Sequence, residues 1–388
     1  MSKRILILGG GFAGILAARK LRGRGAEVRL IDRGPFSEFA PLLPDLLSGR
    51  VRGDCMRADL ASVCRDAGAE FVRAEVLGIR PEKMAVETDA GEFSADAMIL
   101  AIGCETNFFG SKEMENGCAG LKSVAEGRGI HRRAVKMLEG GGGTFLVVGG
   151  GYTGFEIATH MAVLAHRVTG LPYGRLADLV RIEILELGEE PLAGIRPKAK
   201  EWAVAEVQRY GIRLRTRDTV EGFEPDGAAR LKSGRTVPDA LVVWTAGVTP
   251  GPALAAFERR VSRGRLEVDE HLRVAGCERI FAAGDVAGPR PGGRERPLRM
   301  SVQFSRAGGA CAARNALAAL EGRPPRRFDP LDPGYLVPLA TGKAAGVVMG
   351  LPVRGRLALG MHYGLCVFRT WRWADRLGIL RDLACAKR

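Results

Sequence analysis

No stretch of the chain reaches the roughly 18 uninterrupted apolar residues of a spanning helix, so no transmembrane segment is expected. Met1 leads straight into a strand-like run with no charged-then-apolar leader, which argues against a signal peptide and for a cytoplasmic protein. The eight cysteines (Cys55, Cys64, Cys104, Cys118, Cys277, Cys311, Cys366 and Cys385) lack C-x-x-C or C-x-x-x-x-C spacing. Its absence argues against a redox disulfide, a zinc site or an iron–sulfur cluster, and most of the thiols read as buried small hydrophobes. His131, His160, His166, His271 and His362 fall into no ligand spacing; they read as surface or packing residues, and no metal is expected. Positive charge is plentiful, at a formal +14, but it is spread along the chain without a dense basic tract or an RNA-binding signature. Nucleic acid is therefore not expected, and an anionic lipid surface suits the charge better.

A chain of 388 residues, 46% hydrophobic, has room for two or three domains. One motif occurs twice: Gly9, Gly11 and Gly14 follow the strand-like Arg4–Leu8, and Gly149, Gly151 and Gly154 follow Thr144–Val148. Such glycines let backbone N–H groups and a helix N-terminus approach a pyrophosphate, so two copies imply two dinucleotides. The alternative for each copy is a strand-to-helix turn that merely needs glycine. Around the first copy the spacing predicts a strand over 4–8, a helix over about 13–21 and a strand over 27–31 that ends at Asp32. A carboxylate there accepts hydrogen bonds from an adenosine ribose. The second unit ends its strand 181–186 in Glu186, a carboxylate that would bind ribose hydroxyls and repel a 2′-phosphate, favouring NADH over NADPH. Glu186 lies 32 residues beyond Gly154, and the loop Thr169–Arg175 is expected to absorb the excess over the usual ~20.

The runs Met98–Gly103 and Arg279–Asp285 read as strands feeding ligand loops. They resemble the A-T-G-type and G-D motifs of two-dinucleotide-binding flavoproteins. By that resemblance the first glycine site holds FAD, Asp285 after Gly284 binds the ribityl hydroxyls, and Gly103 marks the crossing between domains. The whole chain resembles the type II NADH:quinone oxidoreductases. The likeness rests on Leu30–Arg33, Phe39–Leu43, Ala101–Gly110, Gly120–Ser123, Gly149–Glu156 and Val243–Val248. It implies an α/β fold of glutathione-reductase-like architecture with two Rossmann-like domains: FAD-binding 1–111 and 248–330, NADH-binding 112–247, and a membrane or dimer segment at 331–388. Arg33, Pro41, Val76, Ala101 and Gly247 join the expected cofactor-binding residues.

Hydride transfer between stacked rings asks a protein for position and exclusion of water, with no side-chain nucleophile. Glu156 is the one carboxylate near the second loop, either a structural acid favoured by a helix N-terminus or a group that orients nicotinamide or relays protons. The segment Met300–Gly309 aligns with the family's A-Q-x-A-x-Q quinone-site helix, keeping Gln303 and having Ala307 in place of the second glutamine. Tyr335 and Lys343 are further candidates for the quinone site. From Arg354 onward eight Lys and Arg stand against Asp375 and Asp382, and the apolar run Leu357–Phe368 is followed by Trp371 and Trp373. This composition suits lying in a membrane interface; the alternative is packing into a dimer contact or the core. The expected protein is a homodimeric, peripheral NADH:quinone oxidoreductase on the cytoplasmic face of the membrane. The rival readings are a sulfide:quinone oxidoreductase, which works through cysteines, a soluble NAD(P)H:ferredoxin reductase or diaphorase, and a flavoprotein redox sensor.

Overall fold

The computed structural model describes residues 3–262 and 264–386. The readings that fell on Met1, Lys387 and Arg388 lie outside the described residues. The chain divides into two compact units, one of Met1–Glu38, Arg57–Glu105 and Val248–Leu331, the other of Phe39–Met56, Thr106–Gly247 and Asp332–Arg388.

The first unit is built on a parallel five-stranded sheet, in the order Ile280–Ala282, Ala97–Leu100, Lys3–Leu8, Ala26–Asp32, Glu70–Arg73. Its central strands are nearly continuous apolar runs such as Ile5-Leu6-Ile7-Leu8, as strands covered on both faces require. One face is covered by the helices Phe12–Leu21 and Val302–Leu320. These cross so closely that a Cβ on Gly309 would lie 2.0 Å from the Ala13 carbonyl oxygen.

The second unit repeats the plan on four parallel strands, ordered Arg213–Thr216, Val180–Glu186, Gly143–Val148, Ala240–Trp244. The helix Val124–Glu139 starts with a capping box in which Ser123 and Glu126 satisfy each other's backbone N–H groups. That assigns the family-like segment Gly120–Ser123 to a helix start. The other family-like segments also meet: Trp244 Nε1 donates to Asn107 O at 2.9 Å, and Phe108 and Phe109 pack on the Trp244 ring.

Two boundaries differ from the sequence reading. Residues 39–56, expected inside the first domain, pack with the second unit because the short helix Leu43–Leu47 finds its partners there. Leu46 fills the space over Gly127, His131 Nδ1 hydrogen-bonds Leu47 O at 2.9 Å, and Arg167 donates to Ser48 O at 2.8 Å. The C-terminal segment likewise belongs to this unit. Its three-stranded sheet (Gly334–Leu339, Lys343–Val348, Leu351–Arg354) puts Val337, Leu339 and Ala345 into the core, and Ala340 N donates to Thr159 Oγ1 at 3.0 Å.

Candidate active site

The two glycine loops are built to one design. In each the first strand ends in a glycine with φ above +100° (Gly9, +104°; Gly149, +111°), a conformation that side chains resist. A Cβ on Gly14 would lie 1.9 Å from Gly9 O, and one on Gly154 would lie 1.9 Å from Gly149 O, so these residues are glycine for packing reasons. Gly11 and Gly151 differ, since a Cβ on either would meet nothing within 4 Å. They are the N-caps of the helices Phe12–Leu21 and Tyr152–Thr169, and neither helix has a side-chain cap. Each loop thus presents uncapped helix N–H groups to an open space, the arrangement that suits a pyrophosphate.

The carboxylates repeat as well. Asp32 accepts from Gly10 N at 2.6 Å and Gly34 N at 2.8 Å; Glu186 accepts from Gly150 N at 2.8 Å and Gly188 N at 2.7 Å. Burial lifts the Asp32 carboxyl above its ordinary range against the pull of these N–H groups. The wider spacing to Glu186 comes chiefly from the helix, 18 residues against 10 in the first unit, followed by a 3-10 turn at Tyr173–Asp178. The loop expected over 169–175 carries only the remainder, because nothing stops the helix before Gly170, whose φ of +70° ends it.

Within the first unit, Gly9, Asp32, Arg33 and Val76 line one cleft of about 100 Å³ together with Ile102 and Glu105. Arg33 is held there by Glu105 at 3.0 Å and Glu75 at 3.6 Å. Ala101 N donates to Leu8 O at 2.7 Å, and Gly103 follows with a φ of +71°. Gly284 (φ +83°) and Asp285 line a narrow cleft with Ser301 and Ser305, where Ser305 Oγ donates to Asp285 Oδ1 at 3.4 Å. Ser301 Oγ is buried and has no partner, and the helix Val302–Leu320 it precedes has no side-chain cap. An open glycine cradle, a cleft lined by Asp32 and an orphaned hydroxyl in the cleft that Asp285 lines fit an extended FAD. Gln303 and Ala307, both half-buried, lie on the first two turns of the same helix.

Pro41, Glu156, Gly247, Tyr335 and Lys343 fall in the second unit. Gly247 has a φ of +97° beside the Phe109 ring. Tyr335 and Lys343 have structural occupations: the Tyr335 hydroxyl accepts from Arg196 N at 2.7 Å, and Lys343 pairs with the buried Glu206 at 2.8 Å. Glu156 lies on the second turn of the helix behind the phosphate loop and is buried. Burial, aided by Asp45, raises its carboxyl well above the usual range. None of the eight cysteines is in a disulfide; five are buried, Cys104 and Cys277 are half-buried, and Cys385 is exposed.

A family model for pyridine nucleotide-disulphide oxidoreductases matches residues 3–309. The chain belongs to that family. Among its relatives is the type II NADH:quinone oxidoreductase of Staphylococcus saprophyticus, 28% identical over 376 residues and covering 92% of this chain and 93% of the relative. The enzyme of the same name from Staphylococcus aureus is 27% identical over 382 residues, with the same coverage. Of solved structures, NDH2 from Plasmodium falciparum in complex with NADH superposes with a TM-score of 0.86 at 16% identity, covering 100% of this chain and 98% of that one. The sulfide:quinone oxidoreductase of Aquifex aeolicus gives 0.80 at 16% identity, covering 97% and 92%. These likenesses show the fold.

The pyridine nucleotide-disulphide oxidoreductase framework also carries residues that the sequence reading missed. Asp45 and His160 converge with Glu156, a carboxylate oxygen of each acid and an imidazole nitrogen all within 4.8 Å of one another. His160, expected at the surface or in packing, is buried and packs against two acids. The available signal was an acid inside the apolar run Leu42–Leu47; nothing in the spacing tied it to a helix more than a hundred residues away.

Proposed function

We propose that this chain is a flavin-dependent NADH:quinone oxidoreductase. The observation that carries the reading is the duplicated cradle: two open glycine loops, each with an uncapped helix and a carboxylate held in the same way, on a chain aligned almost end to end with type II NADH:quinone oxidoreductases. FAD, when bound, supplies the two-electron carrier between nicotinamide and quinone. The Gly9–Gly14 loop would hold its pyrophosphate, Asp32 its ribose, and Asp285 its ribityl chain. The Gly149–Gly154 loop and Glu186 would hold NADH, and Glu156 would manage charge or a proton near the nicotinamide. Gln303 is the proposed polar contact for the quinone head group, with Ala307 leaving the second such contact unfilled. A sulfide:quinone activity finds less support, since the loop Gly149–Glu156 has no cysteine and carries an intact acid-ended NADH fingerprint.

Replacing Glu186 by alanine is expected to narrow the preference for NADH over NADPH by roughly tenfold or more, because the repulsion of a 2′-phosphate disappears. The ratio of kcat/KM values for the two donors reads this directly, and an unchanged ratio would remove the assignment.

The quinone's solubility in lipid suits a peripheral position. No helix among the described residues is long and apolar enough to cross a membrane. The helix Gly355–Arg369 turns Ala358 and Cys366 inward and exposes a stripe of Leu357, Met361, Leu365 and Phe368. The helix Trp373–Cys385 similarly exposes Trp373, Leu377 and Leu380. Leu357, Phe368 and Trp373 are 77%, 71% and 75% exposed, large apolar groups that water alone does not favour. Exposed Arg356 and Arg372 flank them, as at an interfacial helix on anionic lipid. The triple variant Leu357→Ser/Phe368→Ser/Trp373→Ser is expected to lose most of its binding to anionic liposomes while keeping flavin. Undiminished binding would sink the membrane reading, and a change in oligomeric state instead would give the face to a second copy of the chain.

A further inference from the structure

Behind the second phosphate loop lies a buried polar cluster that nucleotide binding does not use. Asp45 and His160 are each 1% exposed and Glu156 9%. Asp45 Oδ2 and Glu156 Oε1 are buried without any hydrogen-bond partner, which is costly unless something joins them. Two carboxylates this close and this dry cannot both be ionised.

The surrounding groups treat the two acids unequally. Asp45 Oδ1 accepts from the Tyr363 hydroxyl at 2.7 Å, and that hydroxyl in turn accepts from Arg50 Nη1 at 2.9 Å. Arg50 is anchored from its other side on the Ala340 carbonyl. Glu156 has no such donor, and the charged group that bears on it is Asp45. His160 turns Nδ1 to Ser48 Oγ at 2.7 Å and Nε2 toward Asp45 Oδ1 at 3.8 Å. Burial with Arg50 and Arg167 nearby keeps it neutral, so it does not compete for the negative charge. The remaining titratable groups around the cluster, His362 and Cys366 from the helix Gly355–Arg369 and Tyr173 near Arg50, are all held by burial in their neutral forms.

We propose that Asp45 is a positioning residue for Glu156: the two carboxyl groups share one proton, and Tyr363 with Arg50 keeps the charge on Asp45 so that Glu156 stands as a neutral acid at pH 7. The inference deepens the NADH:quinone reading and rests on it only for its use. Turning NADH and quinone into NAD⁺ and quinol takes one proton beyond the transferred hydride, and a protonated Glu156 that later regains its proton from water can supply it. Burial placing Asp45 at about 6 agrees with an acid that is ionised at neutral pH but only narrowly so.

The test is infrared titration of the flavin-loaded protein, reading the carbonyl stretch of protonated carboxylic acids, with pH profiles of kcat beside it. The wild type should show one buried protonated carboxyl at pH 7 that Glu156→Gln removes. Asp45→Asn should move the pair's upper step down by about one pH unit or more, because the like charge is gone. Tyr363→Phe should raise the lower step, so that a second protonated carboxyl appears near pH 7. A role confined to packing would alter melting temperature in both variants and move neither step. Absence of any protonated carboxyl at pH 7 overturns the proposal, as does one equivalent of a divalent metal in the wild type that Glu156→Gln abolishes. If the protein fails to reduce quinone yet the two steps move as stated, the shared proton stands and the functional reading falls.

Discussion

Gly11→Asp is expected to give a folded, colourless protein. Gly11 has φ −79° and ψ −165°, extended backbone open to any residue, and a Cβ there meets nothing within 4 Å. Aspartate is among the best N-cap residues, and the helix Phe12–Leu21 has no side-chain cap to lose, so folding stability should hold or rise by up to ~1 kcal/mol. The same carboxylate would occupy the N–H groups that the pyrophosphate needs and repel its charge, weakening FAD binding by roughly a hundredfold or more. Visible absorbance of the purified protein reads flavin content, and thermal melting reads folding. A yellow variant with one flavin per chain would show that this loop does not hold FAD.

Gly151→Asp should behave in the opposite way, remaining yellow while NADH no longer bleaches it. The local geometry is the same: φ −84°, ψ −171°, an uncapped helix and an open Cβ position. The lost ligand is different, because Glu186 marks this loop for NADH. Its KM for NADH should rise by roughly a hundredfold, for the reason that applies at Gly11. If either variant lost both ligands together, the assignment of one nucleotide to each loop would be wrong. Gly14 and Gly154 could not serve in this experiment, since any side chain there collides with a carbonyl oxygen and damages the fold before it touches a ligand.

The two β-α-β units were legible because every signal in them is local. Apolar strands end in glycine turns, helices follow at once, and an acid closes each unit, so observed strands such as Ala26–Asp32 and Val180–Glu186 lie within a residue of expectation. What the sequence could not convey is which distant segments share a core. The placement of Phe39–Met56 depends on Leu46 meeting Gly127, and the C-terminal sheet's depends on Ala340 reaching Thr159. Glu156 was visible as a lone acid behind a phosphate loop. His160 follows it by one turn on the same helix, but Asp45 and Tyr363 come from two other stretches of chain, and only folding puts them around it. Tyr335 and Lys343, the weaker candidates for the quinone site, are engaged by Arg196 and Glu206, contacts that nothing local in the sequence announces.

Passage of electrons from NADH through flavin to quinone can be followed in one anaerobic stopped-flow experiment. The protein with bound FAD is mixed first with NADH and then with a ubiquinone or menaquinone analogue while flavin absorbance is followed. Rapid bleaching by NADH and rapid return of the oxidised flavin spectrum on adding quinone are expected. Bleaching with no reoxidation by either quinone would contradict the acceptor assignment, and flavin that NADH leaves oxidised would contradict the account at its first step.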